Sequence, residues 1–231
     1  MKGSRISEKP GETAVRIAFG GVSLAGTISL PASPRGIVLF AHGSGSSRNS
    51  PRNIFVAQVL VGAGFGTLLF DLLTVDEDRN YETRFDIGLL TGRLIGATRW
   101  LRTDPAGAAL PLGYFGASTG AAAALLAAAE PDTDVGAVVS RGGRPDLAGA
   151  AALARVRAPT LLVVGGEDPA VIGLNRDAYA HLRCEKELRI VPGATHLFEE
   201  PGTLEAVAVL ASDWFVRSLG GGTAAGDLDR A

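Results

Sequence analysis

The residues best placed to do chemistry start with a serine set between two glycines, in GYFGASTGAAAAL (113–125). A short apolar run leads into Gly116-Ala117-Ser118-Thr119-Gly120, and an alanine-rich segment of helical length follows. A serine at a sharp strand-to-helix turn projects its hydroxyl into a cleft, which is the geometry of a nucleophile. Side chains at positions 116 and 120 would collide with the neighbouring strand and helix, so glycine suits both. The competing reading is a tight turn with helix-capping chemistry. A serine hydroxyl is a poor nucleophile without a base. The chain has three histidines, His42, His181 and His196. His196 follows the last apolar strand run; His181 falls inside a helical pattern, and His42 lies in the first loop. The base needs an acid to orient it and to stabilise its charged form. Asp168, in Gly165-Gly166-Glu167-Asp168-Pro169, follows the preceding strand run. Asp-Pro also favours a turn or a helix cap, and Glu167 and Asp177 are weaker alternatives.

A tetrahedral intermediate needs two oxyanion donors. The backbone N–H of Thr119 follows the nucleophile and is the first. The second is expected in the loop His42-Gly43-Ser44-Gly45, and is assigned to the Ser44 N–H. Removing one such donor typically costs on the order of 100- to 1,000-fold in rate. Arg141 and Arg144, in SRGGRPDLA (140–148), could bind a carboxylate bidentately. The structural alternative is ion pairing with Asp71, Asp146 or Glu167. His42 joins these two arginines as a candidate substrate-binding residue. Asp76-Glu77-Asp78 lacks the ligand spacing of a calcium loop and reads as a solvated face. No metal and no cofactor are expected. Cys184, the single cysteine, reads as a packing residue.

These groups need elements that bring them to one edge. Thr13–Phe19 and Val22–Leu30, separated by Gly20-Gly21, read as a hairpin. Ile37–Ala41, Gly66–Phe70, Leu112–Phe115, Val135–Val139, Thr160–Val164 and Glu187–Val191 are short apolar runs, several without alternation, as in strands buried on both faces. Segments of helical length lie between or after them: Arg52–Ala63, Asp86–Arg102, Thr119–Glu130, Asp146–Ala154, Asn175–Cys184 and Thr203–Leu219. Alternation of this kind predicts a mainly parallel central sheet with helices on both faces and an antiparallel hairpin edge. Ligands then bind beyond the carboxyl ends of the strands, where the loops bearing His42, Ser118, Arg141, Asp168 and His196 all fall. Only a short turn, about Arg141–Pro145, follows the fourth parallel strand, so no large lid domain is expected.

Composition narrows the partners. Of 231 residues, 46% are apolar and 20% charged, and the net charge of −2 gives no nucleic-acid surface. The polar start MKGSRISEKPGE has no apolar signal core, and the longest apolar stretch is too short to span a bilayer. The expectation is a cytoplasmic protein, monomer or homodimer, with a small-molecule substrate, no nucleic acid and no membrane. One domain is expected over 13–219, with an N-terminal arm at 1–12 and a flexible tail at 220–231.

Taken together, FAHGSGSSRNSPRN (40–53), LLFDLLTVDEDRN (68–80), GYFGASTGAAAAL (113–125), SRGGRPDLA (140–148), GGEDPAV (165–171) and GATHLFEEPG (193–202) carry a resemblance. The chain resembles the α/β-hydrolase superfamily, most of all its dienelactone-hydrolase-related branch. Within that branch it is most like hydrolases found alone or attached to phosphoribosyltransferase domains. The resemblance covers roughly residues 13–218. It implies Ser118, Asp168 and His196 as a catalytic triad, in the superfamily's chain order of serine, acid, histidine. Dienelactone hydrolases proper use cysteine at the elbow, where this chain has serine, so lactone specificity does not carry over. The expected activity is cleavage of a small soluble carboxylic ester through an acyl-enzyme. Alternatives are a thioesterase, lactonase or acyltransferase with the same triad, a low-turnover ligand-binding protein, or a scaffold on the hydrolase fold.

Overall fold

The computed structural model describes residues 11–105 and 107–220. Residues 1–10 of the expected arm and 221–231 of the expected tail lie outside the described residues. Eight strands form one sheet: β1 (Glu12–Phe19), β2 (Val22–Ser29), β3 (Ile37–Ala41), β4 (Gly66–Phe70), β5 (Leu112–Ala117), β6 (Val135–Arg141), β7 (Thr160–Gly165) and β8 (Lys186–Val191). Their spatial order is β1-β2-β4-β3-β5-β6-β7-β8. The hairpin pair β1–β2 and the pair β2–β4 are antiparallel, and every other pairing is parallel. The chain leaves β3 toward β4 on one side and returns to place β5 on the other. The crevice beyond the carboxyl ends of β3 and β5 is therefore the topological switch point, where ligands bind in open α/β sheets.

Helices cover both faces. On one face pack α1 (Pro51–Gly62) and α7 (Thr203–Leu219), with Val38, Phe40, Phe115, Val139, Val163 and Phe215 filling the space between. The other carries α3 (Ile87–Thr103), α4 (Thr119–Ala128), α5 (Ala150–Leu153) and α6 (Pro169–His181), over Leu39, Leu68, Tyr114, Val138 and Leu162. Every residue of β3, β4, β5 and β7 is buried, which explains runs without alternation: both faces are apolar contacts. Each fully buried Val, Leu, Ile or Phe contributes about 1.5–3 kcal/mol. No described helix is long and apolar enough to cross a membrane.

Local chemistry sets where the helices begin. Ser50 caps α1 by accepting from the Asn53 N–H at 3.5 Å, with Pro51 at the first helical position. Asp86 caps α3 through the Leu89 N–H at 2.9 Å. Two expectations change. The helix expected over Asn175–Cys184 starts six residues earlier, because Asp168 caps it through the Val171 N–H at 3.4 Å and Pro169 opens it. The helix expected over Asp146–Ala154 is a 3-10 turn, Pro145–Ala148, and the single-turn α5, divided by Gly149 at φ 77°. An additional short helix, α2 (Val75–Asp78), has a full capping box between Thr74 and Glu77. Among the described residues no lid domain follows β6: Gly142–Arg144 alone joins it to the turn at Pro145.

Candidate active site

Ser118 joins β5 directly to α4 with φ 49° and ψ −120°. A non-glycine residue there sits outside the favoured regions, at a cost of order 1–3 kcal/mol. Backbone hydrogen bonds hold it in place. The Ser118 N–H donates to the Arg141 carbonyl at 3.3 Å, and the Ser118 carbonyl accepts from the Ala121 and Arg144 N–H groups, both at 3.1 Å. The flanking glycines are required by space. A Cβ on Gly116 would lie 2.5 Å from the Ala121 Cα, and one on Gly120 2.1 Å from the Ala41 carbonyl oxygen. Ala121 to Ala124 are fully buried, so the alanines form the thin contact that lets α4 lie this close to the sheet.

His196 follows β8 at the same edge. Its Nδ1 lies 2.7 Å from Oδ2 of Asp168, which follows β7. A carboxylate at Nδ1 fixes that nitrogen as the donor and leaves Nε2 as the acceptor, the tautomer a general base requires. The Asp168 side chain is 16% exposed and that of His196 39%, so the carboxylate is sheltered while the imidazole is reachable. Asp168 has two duties: one oxygen caps α6 and the other meets His196. The loop carrying His196 is anchored by Glu200, which accepts from the Thr195 N–H at 3.0 Å and from its hydroxyl at 2.7 Å. These bonds hold the Glu200 carboxyl below its usual range. Ser118 and His196 flank one dipeptide: Arg141 accepts from Ser118, and a Cβ on Gly142 would sit 3.7 Å from His196 Cε1. Glu167 stays at this edge, its N–H donating to the Ala194 carbonyl at 2.9 Å. His181 and Asp177, both on α6, line a separate depression with Asp146 and Leu153.

The loop after β3 meets the start of α4. A Cβ on Gly43 would touch the Ser118 Cβ at 3.0 Å, so glycine allows this approach. The Ser44 N–H donates to Thr119 Oγ1 at 3.0 Å. Both residues assigned to the oxyanion site are thus adjacent, with the Thr119 hydroxyl on the Ser44 amide. His42 makes its hydrogen bonds to the surrounding loops. It is buried, its Nε2 accepts from the Leu72 N–H at 2.9 Å and its Nδ1 faces the Gly43 carbonyl at 3.0 Å. Burial pushes its pKa down despite the hydrogen bond to Gly43 and the charges of Asp71 and Asp78. Its work is to tie the β3 loop to the β4 loop.

The two arginines differ. Arg144 forms a fork with Asp146, Nε to Oδ1 at 2.9 Å and Nη2 to Oδ2 at 2.8 Å, the structural pairing foreseen as its alternative. Arg141 is the last residue of β6 and is 7% exposed. Asp71 pairs with Arg48. The acidic triplet is not simply solvated: Asp76 pairs with Arg79, Glu77 with the buried Arg93, and Asp78 with Arg84. Burial tends to raise the Glu77 pKa, but the hydrogen bonds from Thr74 and the charge of Arg93 hold it lowered. Among the described residues no group of His, Cys, Asp and Glu could hold a metal ion. Cys184 is half-buried, 3.7 Å from the Thr160 hydroxyl, and burial raises its thiol pKa.

A crystal structure of a dienelactone hydrolase from Anabaena variabilis is 58% identical, covering 91% of this chain and 99% of that one, with a TM-score of 0.88. The chain belongs to the dienelactone-hydrolase-related branch of the α/β-hydrolase superfamily. Two Mycobacterium tuberculosis sequences, provisionally named phosphoribosyl transferases, are 62% identical over 207 residues, 90% of this hydrolase chain. That match takes in 46% of their own length, so the chain spans about half of these relatives. The esterase Est1E from Butyrivibrio proteoclasticus shares the α/β-hydrolase fold, with a TM-score of 0.77 at 15% identity over 90% of this chain and 99% of that one. No protein-family model matches the chain.

Proposed function

We propose that this α/β hydrolase cleaves small, soluble carboxylic esters through an acyl-enzyme on Ser118. The observation that carries the reading is the 2.7 Å contact between Asp168 and His196 Nδ1, at the sheet edge where Ser118 is held in a strained turn. His196 Nε2 takes the Ser118 proton as Oγ attacks the acyl carbon. The oxyanion that forms is met by the Thr119 and Ser44 N–H groups, the Thr119 hydroxyl giving up the Ser44 amide as the oxyanion takes its place. His196 then returns the proton to the leaving alcohol. In the second half His196 draws a proton from water and hydroxide adds to the acyl carbon; the bond to Ser118 Oγ then breaks, His196 gives its proton to that oxygen, and the acid departs. The absence of a lid over the described residues supports short, soluble substrates over long-chain lipids. Turnover of 4-nitrophenyl acetate and palmitate by wild type and Ser118→Ala tests the proposal. The acetate should be strongly preferred, and the variant should lose on the order of a million-fold in kcat if the triad acts as a unit. Near wild-type turnover by Ser118→Ala would refute the mechanism, and equal use of acetate and palmitate would refute the substrate class.

A further inference from the structure

The inward face of α6 carries one residue that packing does not explain. Its buried positions are Val171, Asn175 and Ala178, and Asn175 is fully buried. An aliphatic residue would suit a helix laid on an apolar layer, because asparagine is a poor helix former and a buried amide must find partners. The Asn175 Nδ2 finds two: it donates to the Gly143 carbonyl at 3.0 Å and to the Val171 carbonyl at 2.8 Å. Two carbonyl acceptors fix which way the amide faces, since only its nitrogen can donate. Its Oδ1 is buried with no partner among the described residues. The Ser140 hydroxyl, also fully buried, has none either, and it lies against Gly143, where an added Cβ would be 2.0 Å from Ser140 Oγ and 2.6 Å from Ala121 Cβ.

Gly143 belongs to the turn that grips Ser118. The Arg141 carbonyl accepts from the Ser118 N–H, and the Arg144 N–H donates to the Ser118 carbonyl. Gly142, between them, donates to the Val163 carbonyl at 2.8 Å, and a Cβ there would lie 3.0 Å from the His196 carbonyl oxygen. Two adjacent glycines have no side chains with which to hold such a turn, so its placement depends on what its neighbours offer. At its other end Asn175 is four residues past Val171 and seven past Asp168, positions that share one helix face. Asp168 caps that helix through the Val171 N–H and meets His196 with its second oxygen. The Asn175 amide therefore ties the helix that begins at the acid to the turn that holds the serine.

We propose that Asn175 is a positioning residue for the hydrolytic reaction: by fixing α6 to Gly143 it sets the separation of the Asp168–His196 pair from Ser118. The unpartnered Oδ1 is tolerated because the two Nδ2 bonds are needed at that point. The inference rests on the hydrolase reading above and deepens it.

The test measures kcat and KM for 4-nitrophenyl acetate and butyrate, the rate of labelling by a fluorophosphonate, and Tm, in wild type, Asn175→Leu and Asn175→Asp. Leucine has the same number of side-chain heavy atoms in a similar branched shape. Losing the bond to Gly143 is offset by removing a buried unpartnered oxygen and adding apolar contact, so Tm should stay within about 4 °C of wild type. A misplacement of about 1 Å can cost on the order of 100-fold in rate, so kcat should fall about 10- to 100-fold for both esters alike, with KM little changed and labelling slowed in proportion. Asn175→Asp keeps the shape, and a protonated carboxyl can still donate to Gly143. Burial favours that neutral form. The ratio of its kcat to that of wild type should therefore exceed the Asn175→Leu ratio at pH 6 and decline toward pH 9, while the Asn175→Leu ratio stays constant. Wild-type kcat in Asn175→Leu would overturn the proposal. So would a kcat loss matched by partial unfolding at the assay temperature, which is the result of a packing residue. If Asn175→Leu does not fold, Asn175→Asp decides: a ratio that declines with pH while circular dichroism shows a folded protein supports the proposal, and a flat ratio overturns it. If wild type turns over neither ester and takes no label, the hydrolase reading falls and this inference with it; with wild type active, the variants alone decide it.

Discussion

Gly120 is where the fold and the chemistry are most tightly joined, and alanine there is a quantitative test of both. Alanine is ordinarily worth up to about 1 kcal/mol over glycine inside a helix. At Gly120 that gain is opposed by space. The added Cβ would lie 2.1 Å from the Ala41 carbonyl oxygen and 2.5 Å from that of His42. Both obstacles are backbone, so relief requires α4 to move away from the end of β3. Overpacking of this kind costs about 1–3 kcal/mol, and two backbone collisions argue for the upper end. The net loss is roughly 2 kcal/mol, or about 4–8 °C in Tm for a chain of this length. The same movement shifts Ser118 and Thr119, and a misplacement of about 1 Å can cost on the order of 100-fold in rate. The control is Gly92 in α3, where an added Cβ meets nothing within 4 Å; Gly92→Ala should raise Tm by about 1–4 °C at unchanged turnover. Calorimetry and ester turnover on the two variants give the answer. If Gly120→Ala melts at or above wild type, the account of the elbow as a close-packed turn is wrong.

Two further outcomes follow from the site. Asp168→Asn should keep the α6 cap, because asparagine caps as well as aspartate, yet lose the orientation of His196; kcat should fall on the order of 10,000-fold with Tm within about 2 °C of wild type, and retained kcat would remove Asp168 from the mechanism. His42 is held neutral by burial, so its folded pKa lies below the unfolded value of about 6.5, and the stability it confers is present above pH 6.5 and lost as pH falls toward the folded pKa. Urea midpoints between pH 8 and 5 should therefore decline less steeply in His42→Gln than in wild type, by up to about 1.4 kcal/mol per pH unit; parallel declines would show that His42 takes no part in acid destabilisation.

The sheet was legible because strands buried on both faces have no charged residue to interrupt the run: the spans expected for β3 and β4 match those observed. The ends of β5, β6 and β7 extend past the apolar runs, since their last residues, Gly116-Ala117, Ser140-Arg141 and Gly165, are small or polar and lead into the loops of the candidate site. That extension makes Arg141 a strand residue with a fixed inward direction, and it is why the two arginines, alike in sequence, differ in setting. Asp168 could be read as a cap or as a functional acid; its two oxygens allow both. Asp-Pro signals a turn as readily as a cap, so the first turns of α6 have no distinct signature. Contacts between distant elements left no local signal. The Ser44 amide on the Thr119 hydroxyl and the Leu72 amide on His42 cross between loops, and nothing in the spacing of those residues announces them. The pairing of Glu77 with Arg93 is hidden for the same reason.

The central claim is that Ser118 is a nucleophile activated by His196. The measurement closest to it is covalent labelling by a fluorophosphonate probe, with the modified residue located by peptide mass spectrometry. The account predicts stoichiometric labelling of wild type at Ser118 alone, no labelling of Ser118→Ala, and labelling slowed by several orders of magnitude in His196→Ala. Modification at another residue, or equal labelling rates in wild type and His196→Ala, would contradict it.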